Sequence, residues 1–244
     1  TNIIRGEPNY RRIWLDKVVV QLEPVYFDLL SRFNKLLKQR SHFWRKNIAQ
    51  NDKTNSLIDS FDSQLALIGT RILRRRNRAL EKLRPYIQFW HDYLSKSKEK
   101  INLRYDSTIN ILKDNDDESQ IVSTFLKELY IQRNVEALTG RCSVGPHRDD
   151  IEFLMNDISI RKFGSAGQQR TITLALKMAE LEIVKQTICM DPILILDDVL
   201  AELDIVRQSL LLDTVGTKTQ CFISATHLNK FNKDFVDGSQ IIYL

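Results

Sequence analysis

The residues best suited to chemistry lie late in the chain. Ser165, Gly167 and Gln168 stand in "FGSAGQQR" (163–170), where a small-residue loop runs into an amphipathic stretch. Ser165 followed three residues later by Gln168 fits a capping box: the serine oxygen accepts a first-turn N–H and the glutamine reaches back. Such a start is either ordinary helix capping or a loop that offers a helix N-terminus to a phosphate, because free N–H groups and the helix dipole favour an anion there. Further on, "ILILDD" (193–198) is an apolar run that ends on Asp197 and Asp198. At the mouth of a parallel sheet a first carboxylate could hold Mg2+, and a second could orient or deprotonate an attacking water. Each pattern alone is common.

The elements that must position these residues read as α/β. After the loop, Ile172, Ala175, Leu176, Ala179 and Ile183 recur at helical spacing, which predicts a helix over 168–186. Residues 193–196, bounded by Pro192 and Asp197, fit a strand buried on both faces. A second run, "CFISA", leads into Thr226 and His227. Upstream, "IEFLMNDISIRKF" reads as a hairpin turning near Asn156-Asp157, "INLRY" (101–105) as a strand, and 119–138 as a helix with Val122, Phe125, Leu126, Leu129 and Val135 apolar.

The first part of the chain reads differently. Residues 25–46 form an amphipathic basic helix carrying Arg32, Lys35, Lys38, Arg45 and Lys46. After the polar break "AQNDKTNS", Ile58, Phe61, Leu65, Ile68 and Ile72 alternate steps of three and four, as a coiled-coil seam does, and Pro85 marks an end or kink. The two helices make an antiparallel hairpin, a small arm. Arg71, Arg74, Arg75, Arg76 and Arg78 sit on its second helix, with Glu81 as the neighbouring offset. Trp44 and Trp90 read as core residues.

Composition sets the outer bounds. At 244 residues and 43% hydrophobic the chain can bury a sizeable core, and no apolar run approaches the roughly 18 residues of a membrane span. It reads as soluble and intracellular. Cys142, Cys189 and Cys221 are far apart and odd in number, which argues against a disulfide framework and for buried thiols; the four histidines have no ligand-spaced pair. Residues 1–104 carry 22 Lys and Arg against 10 Asp and Glu, a balance of +12, while 105–244 carry 14 against 21, a balance of −7. Such asymmetry suggests that one half meets a polyanion, with a solvated charged helix face as the alternative for any single cluster.

The order of the motifs is more specific than any one of them. A Ser-x-Gly-Gln loop, then a strand ending Asp-Asp, then "AELD" (201–204), then a strand ending Thr-His resembles the ATP-binding head of ABC ATPases in their chromosome-maintenance branch. With "NYRRIWLD" (9–16), "LLKQR" (36–40), "GPHRDD" (145–150), "FGSAGQQR" and "LILDDVLAELD" (194–204), the chain resembles the RecF family over essentially its whole length. The resemblance implies an α/β ABC-type head joined to a mostly α-helical arm, with 1–104 as arm and 105–244 as head. It implies that Ser165, Gly167, Gln168 and Asp204 contact ATP bound by a partner protomer. Asp197 would serve Mg2+, Asp198 would stand where most such ATPases carry Glu, and His227 would complete the catalytic set. A carboxylate one methylene shorter positions water less well, so hydrolysis should be slow.

The family's Walker A loop, G-x-x-x-x-G-K-[ST], has no counterpart among the eight glycines, so the head is expected to be partial here, with the P-loop lobe outside this sequence and this chain alone inactive toward ATP. The resemblance further implies ATP-dependent homodimerisation on double-stranded and gapped DNA, recruitment of the mediator proteins RecO and RecR, and residence in the bacterial cytoplasm at the nucleoid. Arg71, Arg74, Arg75, Arg76 and Arg78, then Lys35 and Lys38, are the DNA-binding candidates. For "GPHRDD" the residues suggest a structural turn with Arg148 pairing a nearby Asp. Other head ATPases of the Rad50 or SMC type, and a nucleotide-independent DNA-binding scaffold, are the alternatives.

Overall fold

The computed structural model describes residues 2–46, 52–96, 99–109, 117–189, 191–197, 208–209, 220–224 and 236–242, excepting the side chains of 52–55 and 197. They form a mostly helical α/β chain. Its elements are α1 (Asn2–Arg5), α2 (Pro8–Leu22), α3 (Val25–Arg45), α4 (Asp52–Ser95), β1 (Ile101–Asp106), α5 (Glu118–Thr139), β2 (Asp150–Met155), β3 (Ile158–Ser159), α6 (Ile160–Phe163), α7 (Ala166–Ile188), β4 (Leu194–Asp197) and β5 (Cys221–Ser224). Two compact units divide the chain: Asn2–Lys82 with Asn102–Leu154, and Thr1 and Leu83–Ile101 with Met155–Leu244.

In the first unit α3 and α4 run antiparallel. Tyr26 meets Arg76, Phe33 packs on Gly69, and Arg40 meets Asp62. Each step of seven up α3 is a step of seven down α4, the repeat of a coiled-coil seam. Ile58, Leu65 and Ile72 are buried along it, as the spacing predicted. A Cβ on Gly69 would collide with the Phe125 ring of α5, so glycine is what lets the third helix approach. Pro85, in the part of α4 that belongs to the second unit, does not end the helix. It removes one ladder bond, but Ile87, Trp90 and Leu94 are buried beyond it and hold the next turns. Trp44 and Trp90 are core residues, as expected.

Helix α5 buries Ile121, Phe125, Leu129 and Glu136, while Val135, expected on its apolar face, is exposed. The buried Glu136 has a reason. Arg40, itself buried, donates from Nη1 to Glu136 and from Nε to Asp62 Oδ1 at 2.7 Å. Asp62 also accepts from Arg133 Nη2 at 2.7 Å, and Glu136 from the Ser143 N–H at 2.6 Å. The charges are paired, which buried charge requires, although Arg40 Nη2 is buried without a hydrogen-bond partner.

Arg76 is, with Arg11 and Arg40, one of three buried guanidiniums among the described residues, at 3% exposure. It donates from Nε and Nη2 to the two oxygens of Asp16, both at 2.9 Å, and from Nη1 to Tyr105 Oη at 2.9 Å and the Pro146 carbonyl at 2.7 Å. Tyr26 Oη donates to Asp16 at 2.5 Å, and Tyr105 Oη to Asp149 at 2.9 Å. Burial alone would lower the Arg76 pKa, but Tyr105, Tyr26 and Asp16 around it raise it overall. Burial pushes both phenols up. The site is a satisfied bidentate pair set into a polar network.

That network also explains "GPHRDD". Gly145 has φ +125°, and a Cβ there would press on Phe125 and Phe33, so only glycine fits. Pro146 supplies the carbonyl for Arg76. His147 packs its ring on Phe33, and burial lowers its pKa to about 4. Asp149 accepts from the Thr108 N–H at 2.7 Å; its burial raises its pKa. Asp150 takes a bidentate pair from Arg11 at 2.6 and 2.9 Å. Arg148 donates to the Cys142 carbonyl at 2.9 Å rather than pairing an aspartate. The motif ties α2, α4 and the β1–β2 pair together.

In the second unit α7 buries Ile172, Leu174, Ala175, Leu176, Met178, Ala179 and Ile183. β4 and β5 pair in parallel, with Asp197 beside Ser224. The expectation of a strand buried on both faces is corrected here: Leu194 and Leu196 are buried, but Ile193 is 59% and Ile195 72% exposed. Alternation follows from the two-residue period of a strand covered on one face. All three cysteines are free, yet Cys142 alone is buried; Cys189 caps α7 at φ 56° and is exposed.

Removing Arg76 strands Asp16 among buried tyrosines, so Arg76→Ala should lower the unfolding free energy in urea by about 3–5 kcal/mol, against less than about 1 kcal/mol for the surface change Arg78→Ala. His147 gives a pH signature. Its folded pKa lies below the ordinary 6.5, so the unfolded chain binds the proton first as pH falls, and stability is lost between about pH 6.5 and about 4. His147→Gln should flatten that part of the stability curve relative to wild type.

Candidate functional site

The loop of residues 163–170 is built from short-range contacts. Ser165 is the N-cap of α7 in extended geometry. Its Oγ accepts from the Gln168 N–H at 3.2 Å, and its own N–H donates to Gln168 Oε1 at 2.8 Å. The capping box read from the sequence is complete. It accounts for the N–H groups of Ser165 and Gln168. Helix geometry leaves those of Ala166 and Gly167 without an acceptor in their own helix, at a solvent-exposed, electropositive end.

The two glycines of the loop have different origins. A Cβ on Gly164 would lie 2.6 Å from the Ile160 carbonyl and 2.8 Å from its Cγ2, so the fold itself demands glycine. At Gly167 an added Cβ would meet only Ser165 Oγ, at 3.9 Å. Glycine in the first helical turn costs stability relative to alanine, and no contact among the described residues requires it there. What the bare backbone provides is room for something outside the chain.

Gln169, which sequence reasoning passed over, is 3% exposed. Its Nε2 donates to the carbonyls of Ile160, at 3.0 Å, and Gly164, at 3.1 Å, clamping both ends of α6 against α7. Its sequence signal is a second glutamine at a position one turn past the cap. Gln168 Nε2 also reaches Glu99 at 3.5 Å and Met155 Sδ at 3.4 Å, anchoring the first turn.

Other expected site residues are placed less fully. The backbone of Asp197 ends β4 next to the end of β5, the location at which parallel sheets bind ligands. Asp198, Asp204 and His227 lie outside the described residues. Among the described residues no group of three His, Cys, Asp or Glu is arranged to hold a metal ion. No described helix is long and apolar enough to cross a membrane.

The basic candidates separate by environment. Lys35 and Lys38 are exposed on α3, opposite the face that buries Phe33, Leu36, Arg40 and Phe43; Arg45, at its last position, is exposed but donates from Nε to the Gly140 carbonyl at 3.4 Å, and Lys46 is the exposed C-cap. Arg71 and Arg74 pair with Glu118 at 3.1 and 2.9 Å; Arg75 and Arg78 pair with Glu23 at 2.9 and 3.4 Å. The offset expected from Glu81 therefore comes from two other glutamates as well. Arg76 leaves the DNA-facing set, because its guanidinium is interior and bonded to Asp16.

No family model matches the chain. It is 47% identical over 241 residues to the DNA replication and repair protein RecF of Parasynechococcus marenigrum (strain WH8102), covering 98% of this chain and 66% of that protein. To the RecF of Synechococcus sp. (strain CC9605) it is 48% identical over 242 residues, 99% of this chain and 66% of the relative. Among solved structures, the recombination mediator protein RecF of the RecFOR pathway, determined as RecF-ATP and as RecF-ATPrS, superposes with a TM-score of 0.84 at 30% identity. Each match covers 93% of this chain and 60% of the solved one. The fold is thus a mostly helical α/β architecture shared with part of a recombination mediator. The chain belongs to the RecF family, and it spans just under two thirds of the length of these relatives.

The contrast between the two glycines is directly measurable. Gly167→Ala should leave thermal stability unchanged or raise it by up to about 1 kcal/mol, whereas Gly164→Ala should lower it, and Ser165→Ala should cost about 1 kcal/mol by removing the cap.

Proposed function

We propose that this chain is part of an ATP-gated DNA-binding protein of recombinational gap repair and replication restart. In this reading the α7 N-terminus contacts the terminal phosphate of ATP held by a second protomer, so that ATP closes a dimer on double-stranded DNA near a single-strand gap. The observation that carries it is Gly167, a glycine that no contact among the described residues requires, beside a capped and exposed helix start. Ser165 Oγ accepts the cap bond but keeps its own proton to donate, and the Ala166 and Gly167 N–H groups add two further donors. The ATP-containing RecF structures are consistent with this assignment.

Asp197 would hold Mg2+, which would offset phosphate charge; Asp198, Asp204 and His227 would complete the composite site. A strand end beside Ser224 fits that role by position. The shorter Asp198 side chain supports slow hydrolysis, suited to a timed switch. Residues 1–104 serve as the arm and 105–244 as part of the head in this functional division, which follows charge rather than packing.

On the arm, Lys35, Lys38 and Lys46 form the primary phosphate-contacting face, with Arg45 beside them bonded to the Gly140 carbonyl. Arg71, Arg74, Arg75 and Arg78 can join it only by exchanging Glu118 or Glu23 for DNA phosphates. Contacts to phosphates alone give affinity without sequence preference. RecO and RecR are the proposed downstream partners, and the bacterial nucleoid the proposed location.

Two measurements on the full-length protein test this. ATP-dependent dimerisation on gapped DNA should be abolished by Ser165→Arg and strongly weakened by Gly167→Ala; dimerisation equal to wild type in both would remove the trans-phosphate role. For the arm, Lys35→Gln with Lys38→Gln should flatten the log–log salt dependence of duplex binding by about 2, one unit for each phosphate left without its lysine. An unchanged slope would move the DNA-binding face off α3.

A further inference from the structure

Phe163 is 75% exposed, although everything around its backbone is held fast. It closes α6, a single turn whose first residue, Ile160, is buried. The Gln169 amide grips the carbonyls at both ends of that turn, and the Gly164 N–H donates to the Ile160 carbonyl at 2.9 Å. The close approach of Gly164 to Ile160 locks the exit from α6. An aromatic ring is therefore presented to solvent from a rigid mount, two residues before the N-cap of α7. A ring exposed on a flexible loop could fold back against its own chain; this one is not given that freedom.

The surroundings indicate what the ring is for. Arg161 and Lys162 are exposed on the same turn of chain. A second copy offering only an apolar patch would gain little from two cations beside the contact. An anion that carries a planar ring satisfies both features, because aromatic rings stack on nucleobases while cations and free N–H groups take phosphates. From Phe163 to Ala166 the chain can span at most about 11 Å, which keeps ring and N-terminus within the length of one nucleotide.

We infer that Phe163 is a stacking surface for the nucleobase of the nucleoside triphosphate that a second copy brings to the α7 N-terminus. This rests on the trans-phosphate reading above and extends it from phosphate to base. Phe163 then helps distinguish a nucleotide from inorganic polyphosphate, and Gln169 is the positioning residue that aims it. The basic residues attract the phosphates without selecting a base.

Being exposed, Phe163 can be changed without disturbing the core. In the full-length protein, Phe163→Ala should raise the ATP concentration for half-maximal dimerisation about tenfold, and Phe163→Trp should restore it, in line with the energy of one base–aromatic stack. An ATP analogue carrying a photoreactive azide on the base should, after irradiation of the dimer, label the tryptic peptide 163–170, which Lys162 and Arg170 delimit. Label absent from that peptide in a dimer that has formed, or a Phe163→Ala dimerisation curve superimposable on wild type, would overturn the inference. If Gly167→Ala blocks dimerisation while Phe163→Ala does not change it, the stacking role alone fails. If Gly167→Ala and Ser165→Arg both dimerise normally, the underlying trans-phosphate reading fails with it.

Discussion

The first unit is organised around the guanidinium of Arg76, one of three buried in it. Arg76 of α4 joins Asp16 of α2, Tyr26 of α3, Tyr105 of β1 and the carbonyl of Pro146 in a single network. Bringing a full positive charge inside is costly unless each donor finds an acceptor, and here the bidentate carboxylate and two tyrosines provide them. The same bonds fix where "NYRRIWLD" and "GPHRDD" must sit. Arg11 to Asp150 and Arg12 to the Asp149 carbonyl, at 2.7 Å, then follow as neighbours of that hub. Motifs distant in sequence are thus two sides of one polar joint.

The second unit uses its local interactions differently. At the start of α7 the capping box, the Gln169 clamp and the tight Gly164 turn make a rigid loop whose outer surface is left bare. Rigidity and exposure together are what a preorganised ligand contact needs, since little ordering remains to be done on binding. A helix start that served only its own fold would gain from alanine at 167. The proposed trans contact gives that glycine a purpose, and it makes assembly conditional on a nucleotide that another protomer supplies.

Several of these features were legible in the sequence because they are local. Ser165 and Gln168 are three residues apart, so cap geometry follows from spacing; the seven-residue seam of Ile58, Leu65 and Ile72 reads directly as packing. What was not legible depends on contacts far along the chain. Arg76 is one of five arginines within eight residues, and nothing in its spacing separates it from Arg75 or Arg78; the distinction is that Asp16, 60 positions away, faces it alone. Likewise Glu23 and Glu118 neutralise arginines remote in sequence. The exposure of Ile193 and Ile195 is not legible because a continuous apolar run does not say how many faces of its strand are covered. Helix α2 is legible only in part: Pro8 marks its start, and Trp14, Leu15, Val18 and Val19 lie at helical spacing on its buried face, which also carries Arg11.

The central claim is that the α7 loop acts on a phosphate held by another copy. It is tested most directly by mixing two full-length variants, one unable to bind ATP through its Walker A lysine and one carrying Ser165→Arg. Each alone should fail to turn over ATP on gapped DNA. The mixture should regain turnover at the one composite site that pairs an intact loop with an intact ATP pocket. A mixture as inactive as its components would contradict the account.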